Sequence, residues 1–250
     1  MKNIKHSIII ASFSLLIGNF NNIFALTENT NTSHIINNIP CINPNKQILS
    51  SEVASAITLL NFWGYKISEE DFYDKILLHK DWNYSKDGMM HAADPNSAYV
   101  GNARKTTGLN HSFGCYAPVI YNAINKVINH QKHCVINLTG AEIDDICKAY
   151  ININCPVLIY ATYNMTKPTP THKWKISFIN KNSKLKINDI FTWKSLGHCF
   201  LINGYNHNSY FITNPLNIST QKSNLAIPKV LLKKRYEEMG KQAITIIPKN

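Results

Sequence analysis

Past Ala25 this chain has no apolar run of the roughly 20 residues that a bilayer span takes, so no transmembrane span is expected in the mature form. It has no dense basic helix and no nucleic-acid-binding motif, which removes nucleic acid from the expected partners. No cysteine pair shows zinc-finger spacing. The single metal-like cluster, His130-x-x-His133-Cys134, lies in a polar stretch after a helix, so no metal and no cofactor are expected. No cysteine stands near the end of the leader, which argues against a lipid anchor. Acidic residues are scarce, 15 against 26 Lys and Arg, and the net charge is +11, or +9 without Lys2 and Lys5. Such an excess suits anionic cell-wall polymers, lipid headgroups or acidic peptides. The lysines are read as spread among Asn and Ser over a solvated face.

What is present begins with an export signal over residues 1–25. Lys2 and Lys5 form its basic start, Ser7 to Gly18 its apolar run, and Ile23-Phe24-Ala25 a plausible cleavage point. A secreted or extracytoplasmic location follows as an expectation. Residues 26–38 are polar and rich in Asn and Thr, and read as a flexible lead. Residues 39–250 are long enough for one domain. Six cysteines survive cleavage, and an exported chain permits disulfides, but spacing leaves fifteen full pairings open.

Ser50 to Gly64 reads as a helix. Val53, Ile57 and Leu60 form one apolar stripe, Ser50 or Ser51 is the N-cap, Glu52 sits in the first turn, and Gly64 ends it. Ser68-Glu69-Glu70-Asp71 opens a second helix with Phe72, Ile76 and Leu77 buried. Lys80 to Phe113 reads as a long irregular region. Helices follow after Pro118, with a Val119, Ala123, Val127 stripe, and after Thr139, with Ile143, Ile146 and Ala149. Strands are then expected at 156–162, 197–205, 210–213 and 243–247. A polar, basic excursion at 168–194 is read as a hairpin, and a helix is expected at 230–239. Helices first and an antiparallel sheet second make the fold α+β.

His198 opens one strand and Asn214 ends the strand that pairs with it. A turn at Asn206–Ser209 brings the two to one end of the sheet. There the Asn side chain can fix the imidazole tautomer and leave the other ring nitrogen as a base. A helix N-terminus packed against that end, carrying Ser51, would supply the third group and an oxyanion site.

These residues resemble the papain-like, bacteriocin-processing peptidases of family C-thirty-nine, in their exported stand-alone branch. Ile48-Leu49-Ser50-Ser51-Glu52 and Asn61-Phe62-Trp63-Gly64 are similar to the family's Pro-Thr-Gly-Cys-Glu and Asn-Tyr-Tyr-Gly. Asp94-Pro95, Gly101-Asn102 and Gly114-Cys115-Tyr116-Ala117-Pro118 resemble the family's middle segment. Cys155 to Thr162, Gly197 to Tyr205, Asn214-Pro215 and Tyr236 to Ala243 resemble its strands and closing helix. The resemblance implies a papain-like cysteine peptidase fold, with N-terminal helices packed on a C-terminal antiparallel sheet. It implies a site built from Ser51, His198 and Asn214, with Gln47 the nearest candidate for the family's oxyanion-donating Gln.

Ser51 stands where the family has its nucleophilic Cys, and the preceding Pro-Thr-Gly is absent. A thiol can be ionised by a neighbouring imidazole, whereas a hydroxyl is far too weak an acid. Cys199 follows His198 directly on a strand and faces the other side of the sheet. The expectation is an impaired or inactive relative that binds a peptide or protein ligand, such as a cell-wall-linked partner. The alternative is an active peptidase or acyl-transferase using Ser51-His198-Asn214. A third reading is a structural surface protein whose own loop, Lys80 to Phe113, fills the cleft.

Overall fold

The computed structural model describes residues 33–40, 47–215 and 224–249. The export signal, most of the lead and Cys41 lie outside the described residues. The elements are β1 (His34–Ile35), α1 (Ser51–Phe62), α2 (Glu69–Asp71), β2 (His79–Lys80), β3 (Asn83–Tyr84), β4 (Met90–Ala93), β5 (Tyr99–Val100), α3 (Ala117–Val127), β6 (His133–Asn137) and α4 (Ile143–Ala149). Then come β7 (Val157–Thr162), β8 (Pro170–Phe178), β9 (Ile190–Lys194), β10 (Gly197–Tyr205), β11 (Ser209–Thr213), β12 (Leu225–Pro228), α5 (Lys229–Glu238) and β13 (Ala243–Pro248).

Helix α1 starts where Ser50, extended at φ −138°, accepts the Val53 N–H on its hydroxyl at 3.3 Å. It ends before Gly64, which takes φ +81°. The expected stripe of Val53, Ile57 and Leu60 is buried, but so are Ala54, Ser55, Ala56, Thr58 and Leu59. A helix covered this fully is central rather than amphipathic. It lies between α3 and the main sheet, and its alanines and serines let both approach.

The main sheet runs β12-β11-β10-β7-β13-β6, all antiparallel, with β1 also paired to β10. Strand β7 is buried at every position, and β10 is buried from His198 onward. The described residues ahead of Ile39 also join this sheet. His34 and Ile35 pair with Tyr205 and Gly204, and Ile36 is buried. A two-residue strand in an Asn-rich stretch gives no periodic signal.

Like β1, two further strands of the main sheet were not foreseen from sequence. β6 begins at His133, within the His130-x-x-His133-Cys134 stretch, and His133 Nδ1 bonds the Tyr65 hydroxyl at 2.6 Å. β12 is a short edge strand. Cys147, not Ala149, fills the buried side of α4 together with Ile143 and Ile146.

The region 80–113 is not irregular throughout. It supplies β3 and β4 to a second sheet, ordered β3-β4-β8-β9, with a core of its own around Trp82, Met90, Trp174, Ile176 and Trp193. These strands are two to four residues long, too short for alternation to show.

After Ser68 caps Asp71, the second helix passes at once into a π turn, Phe72–Ile76, with the Leu77 N–H bonded to Phe72 O. The extra residue in that turn lets Phe72, Tyr73 and Leu77 all face inward.

Among the described residues no helix is long and apolar enough to cross a membrane. The five described cysteines carry no disulfide.

Candidate active site

Ser51 is the first residue of α1 and is 6% exposed. Helix geometry leaves the N–H groups of its first turn without intrahelical partners, and the macrodipole favours negative charge there. The Ser51 hydroxyl donates to Glu52 Oε2 at 3.2 Å and accepts from the backbone N–H of Cys199 at 3.2 Å. The helix start is thereby fastened to the residue that follows His198.

His198 lies at the start of β10 and Asn214 just past β11. The hairpin, whose last pair is Leu201 with Thr213, brings them to the same end of the sheet on a diagonal, with His198 Nε2 3.0 Å from Asn214 Oδ1. Because Oδ1 only accepts, Nε2 carries the proton and Nδ1 is the basic nitrogen of the neutral ring. Burial pulls the His198 pKa below the usual imidazole value, and the bond to Asn214 partly opposes this. Tyr163, half exposed, stands over the His198 ring edge-on at 5.5 Å. Among the described residues Ser51 and His198 share no hydrogen bond. They meet through the backbone at Cys199.

Gln47 is exposed in the turn four residues before Ser51. Cys199 is fully buried, and burial together with the nearby Glu52 and Cys115 pushes its thiol well above the ordinary range. Such a thiol does not ionise at neutral pH and is a poor nucleophile.

Sequence reasoning valued Glu52 only for its place in the helix dipole, and missed its larger role. Its carboxyl collects the Ser50 hydroxyl at 3.0 Å and the Ser51 hydroxyl at 3.2 Å on one oxygen, and the Cys115 N–H at 3.3 Å on the other. Part of the residue touches solvent, but the carboxyl is enclosed by protein. Burial raises its pKa above the usual value, with these donors pulling the other way. A charged residue between two serines and a run of small and apolar residues was the available signal.

Among the described residues no group of three His, Cys, Asp or Glu side chains is placed to hold a metal ion.

A solved structure of a C39-like peptidase candidate from Bacillus anthracis superposes with a TM-score of 0.69 at 21% identity. The match covers 88% of this chain and all of that one, and it establishes the shared fold. Xylellain, a cysteine protease from Xylella fastidiosa, aligns over 88% of this chain and 86% of its own at 13% identity. Its TM-score of 0.37 is too low to carry an argument. No curated protein sequence matches the chain. The model of the Peptidase_C39 like family matches residues 36–244, from just after β1 through Ser51, His198 and Asn214 into β13. The chain therefore belongs to the Peptidase_C39-like family.

Proposed function

We propose that this is an exported family member that has lost its nucleophile and binds a peptide or a cell-surface partner at the His198 end of the main sheet without cutting it. The observation that carries this reading is the double commitment of the Ser51 hydroxyl. Its one proton goes to Glu52 Oε2, and its lone pair takes the Cys199 N–H. A serine nucleophile has to hand that proton to the imidazole as it attacks. Here the hydroxyl acts as a clasp between α1 and β10.

The test is an active-site label. A serine-directed phosphonate leaves the protein unmodified, and no peptide in a mixed library is cleaved. Ser51→Cys then acquires a thiol that iodoacetamide alkylates faster than a free cysteine, and His198→Ala cancels that acceleration. Phosphonate labelling of the natural chain that is lost in Ser51→Ala overturns the reading.

One observation favours a second reading, an active peptidase or acyl-transferase. The His198–Asn214 pair is intact at 3.0 Å, as a working base and its orienting group require. In that case Ser51 attacks, His198 is the base, Asn214 orients it, and the Ser51 N–H with Gln47 holds the oxyanion. Hydrolysis abolished by both Ser51→Ala and His198→Ala is its signature.

A further inference from the structure

The positive charge is not spread evenly. Residues 167–194, the β8–β9 hairpin and its approaches, hold seven lysines against one carboxylate, Asp189. That carboxylate is used locally, accepting the Lys186 N–H at 2.8 Å. The chain has only two arginines and both are engaged elsewhere, Arg104 with Asp74 and Arg235 with Glu238. Among the described residues every ion pair lies outside this hairpin.

The hairpin has two unlike faces. Trp174, Ile176 and Trp193 point into the second core. The opposite face carries Lys173 beside Thr192 and Lys175 beside Ile190, by cross-strand pairing. At the tip Lys181, Lys184 and Lys186 are all exposed. Two large aliphatic side chains stand out among these charges, Ile187 at 48% and Ile190 at 53% exposure.

The geometry points to this hairpin as the surface by which the protein lies on an anionic lipid bilayer. Lysines offer point charges without the fork that arginine uses for a specific anion, which suits a diffuse headgroup layer. A dissolved polyanion has no use for bare isoleucines beside the lysines, whereas the boundary between headgroups and acyl chains accepts them. This inference is independent of whether Ser51 is catalytic.

Flotation of the full chain with vesicles tests it. Pure phosphatidylcholine vesicles measure any partitioning through the apolar run at Ser7–Gly18, and mixed phosphatidylglycerol–phosphatidylcholine vesicles add the anionic term. The natural chain binds the mixed vesicles more tightly and loses that advantage as salt rises. The triple substitution Lys181→Gln, Lys184→Gln, Lys186→Gln weakens binding to mixed vesicles on the order of 100-fold, about fivefold per lysine, and leaves binding to pure phosphatidylcholine unchanged. Ile187→Ser with Ile190→Ser lowers what remains bound at high salt. All these side chains are exposed, so far-ultraviolet circular dichroism should match that of the natural chain. Equal binding of the natural and triple-Gln chains to mixed vesicles overturns the inference. So does retention on soluble polyphosphate as tight as on mixed vesicles with no effect of the isoleucine changes, since the partner is then a dissolved polyanion.

Discussion

Gly114 lies so close to Glu52 that a Cβ on Gly114 would stand 2.2 Å from Glu52 Oε1. Gly114 also takes φ +109°, where L side chains are strained. The carboxyl beneath the helix start thus depends on a hydrogen atom at position 114. Gly114→Ala should destabilise the fold by about 3 kcal/mol, read by urea unfolding. Gly88→Ala is the control, at φ +78° with nothing near its would-be Cβ, and should cost only about 1 kcal/mol.

Glu52 makes a pH prediction with a definite sign. Its folded pKa is raised above 4.5, so the folded state holds its proton more firmly than the unfolded chain does. Its stabilising share is complete below pH 4.5 and is lost as pH climbs through the folded value. Glu52→Gln should flatten this part of the stability–pH curve. Glu52→Ala leaves two hydroxyls and the Cys115 N–H without their acceptor, at a cost on the order of 3 kcal/mol.

His198 titrates with the opposite consequence. Its folded pKa is lowered, so the folded state prefers the neutral ring. Stability should fall as pH drops below about 6.5, the unfolded value, and level off below the folded one. Asn214→Ala removes the bond that holds the pKa up, and the His198 proton resonances should titrate at still lower pH. Asn214→Asp adds a negative charge and should move them upward.

The thiols should rank by burial. Cys134 is only partly covered, whereas Cys115 and Cys199 are fully buried with pKa values pushed well up. Cys147 and Cys155 are pushed up to about 12. A chromogenic disulfide reagent added to the native protein should therefore modify Cys134 first among these five. The other four should react only on addition of denaturant. Rapid native labelling of Cys199 would contradict its burial.

Much of this fold can be read in the residues, because its long elements carry strong patterns. Ser50 as cap, Gly64 as stop and the hairpin joining His198 to Asn214 all follow from local chemistry and strand register. The β8–β9 hairpin was expected, but the other half of the second sheet escaped, because β3 and β4 are too short for alternation to register and the β8 strand that pairs with β4 lies some eighty residues further on. Glu52 escaped for a different reason. A carboxylate in a first helical turn is ordinarily a solvent-facing dipole partner, and only the folding of Gly114 and Cys115 over it makes it an interior acceptor. The same long-range closure fastens Ser51 to Cys199, and no spacing within the chain encodes it.

The π turn at Phe72–Ile76 reaches further than its five residues. It turns Tyr73 inward, so that its hydroxyl receives the Ala103 N–H at 3.1 Å, and the Ala103 carbonyl in turn receives the Leu49 N–H at 2.9 Å. Leu49 stands two residues ahead of Ser51. Shortening the chain by a single position within this bulge would give a more regular spiral, swing the phenol away from its amide, and unmoor the entry to the central helix from a point more than twenty residues distant along the chain.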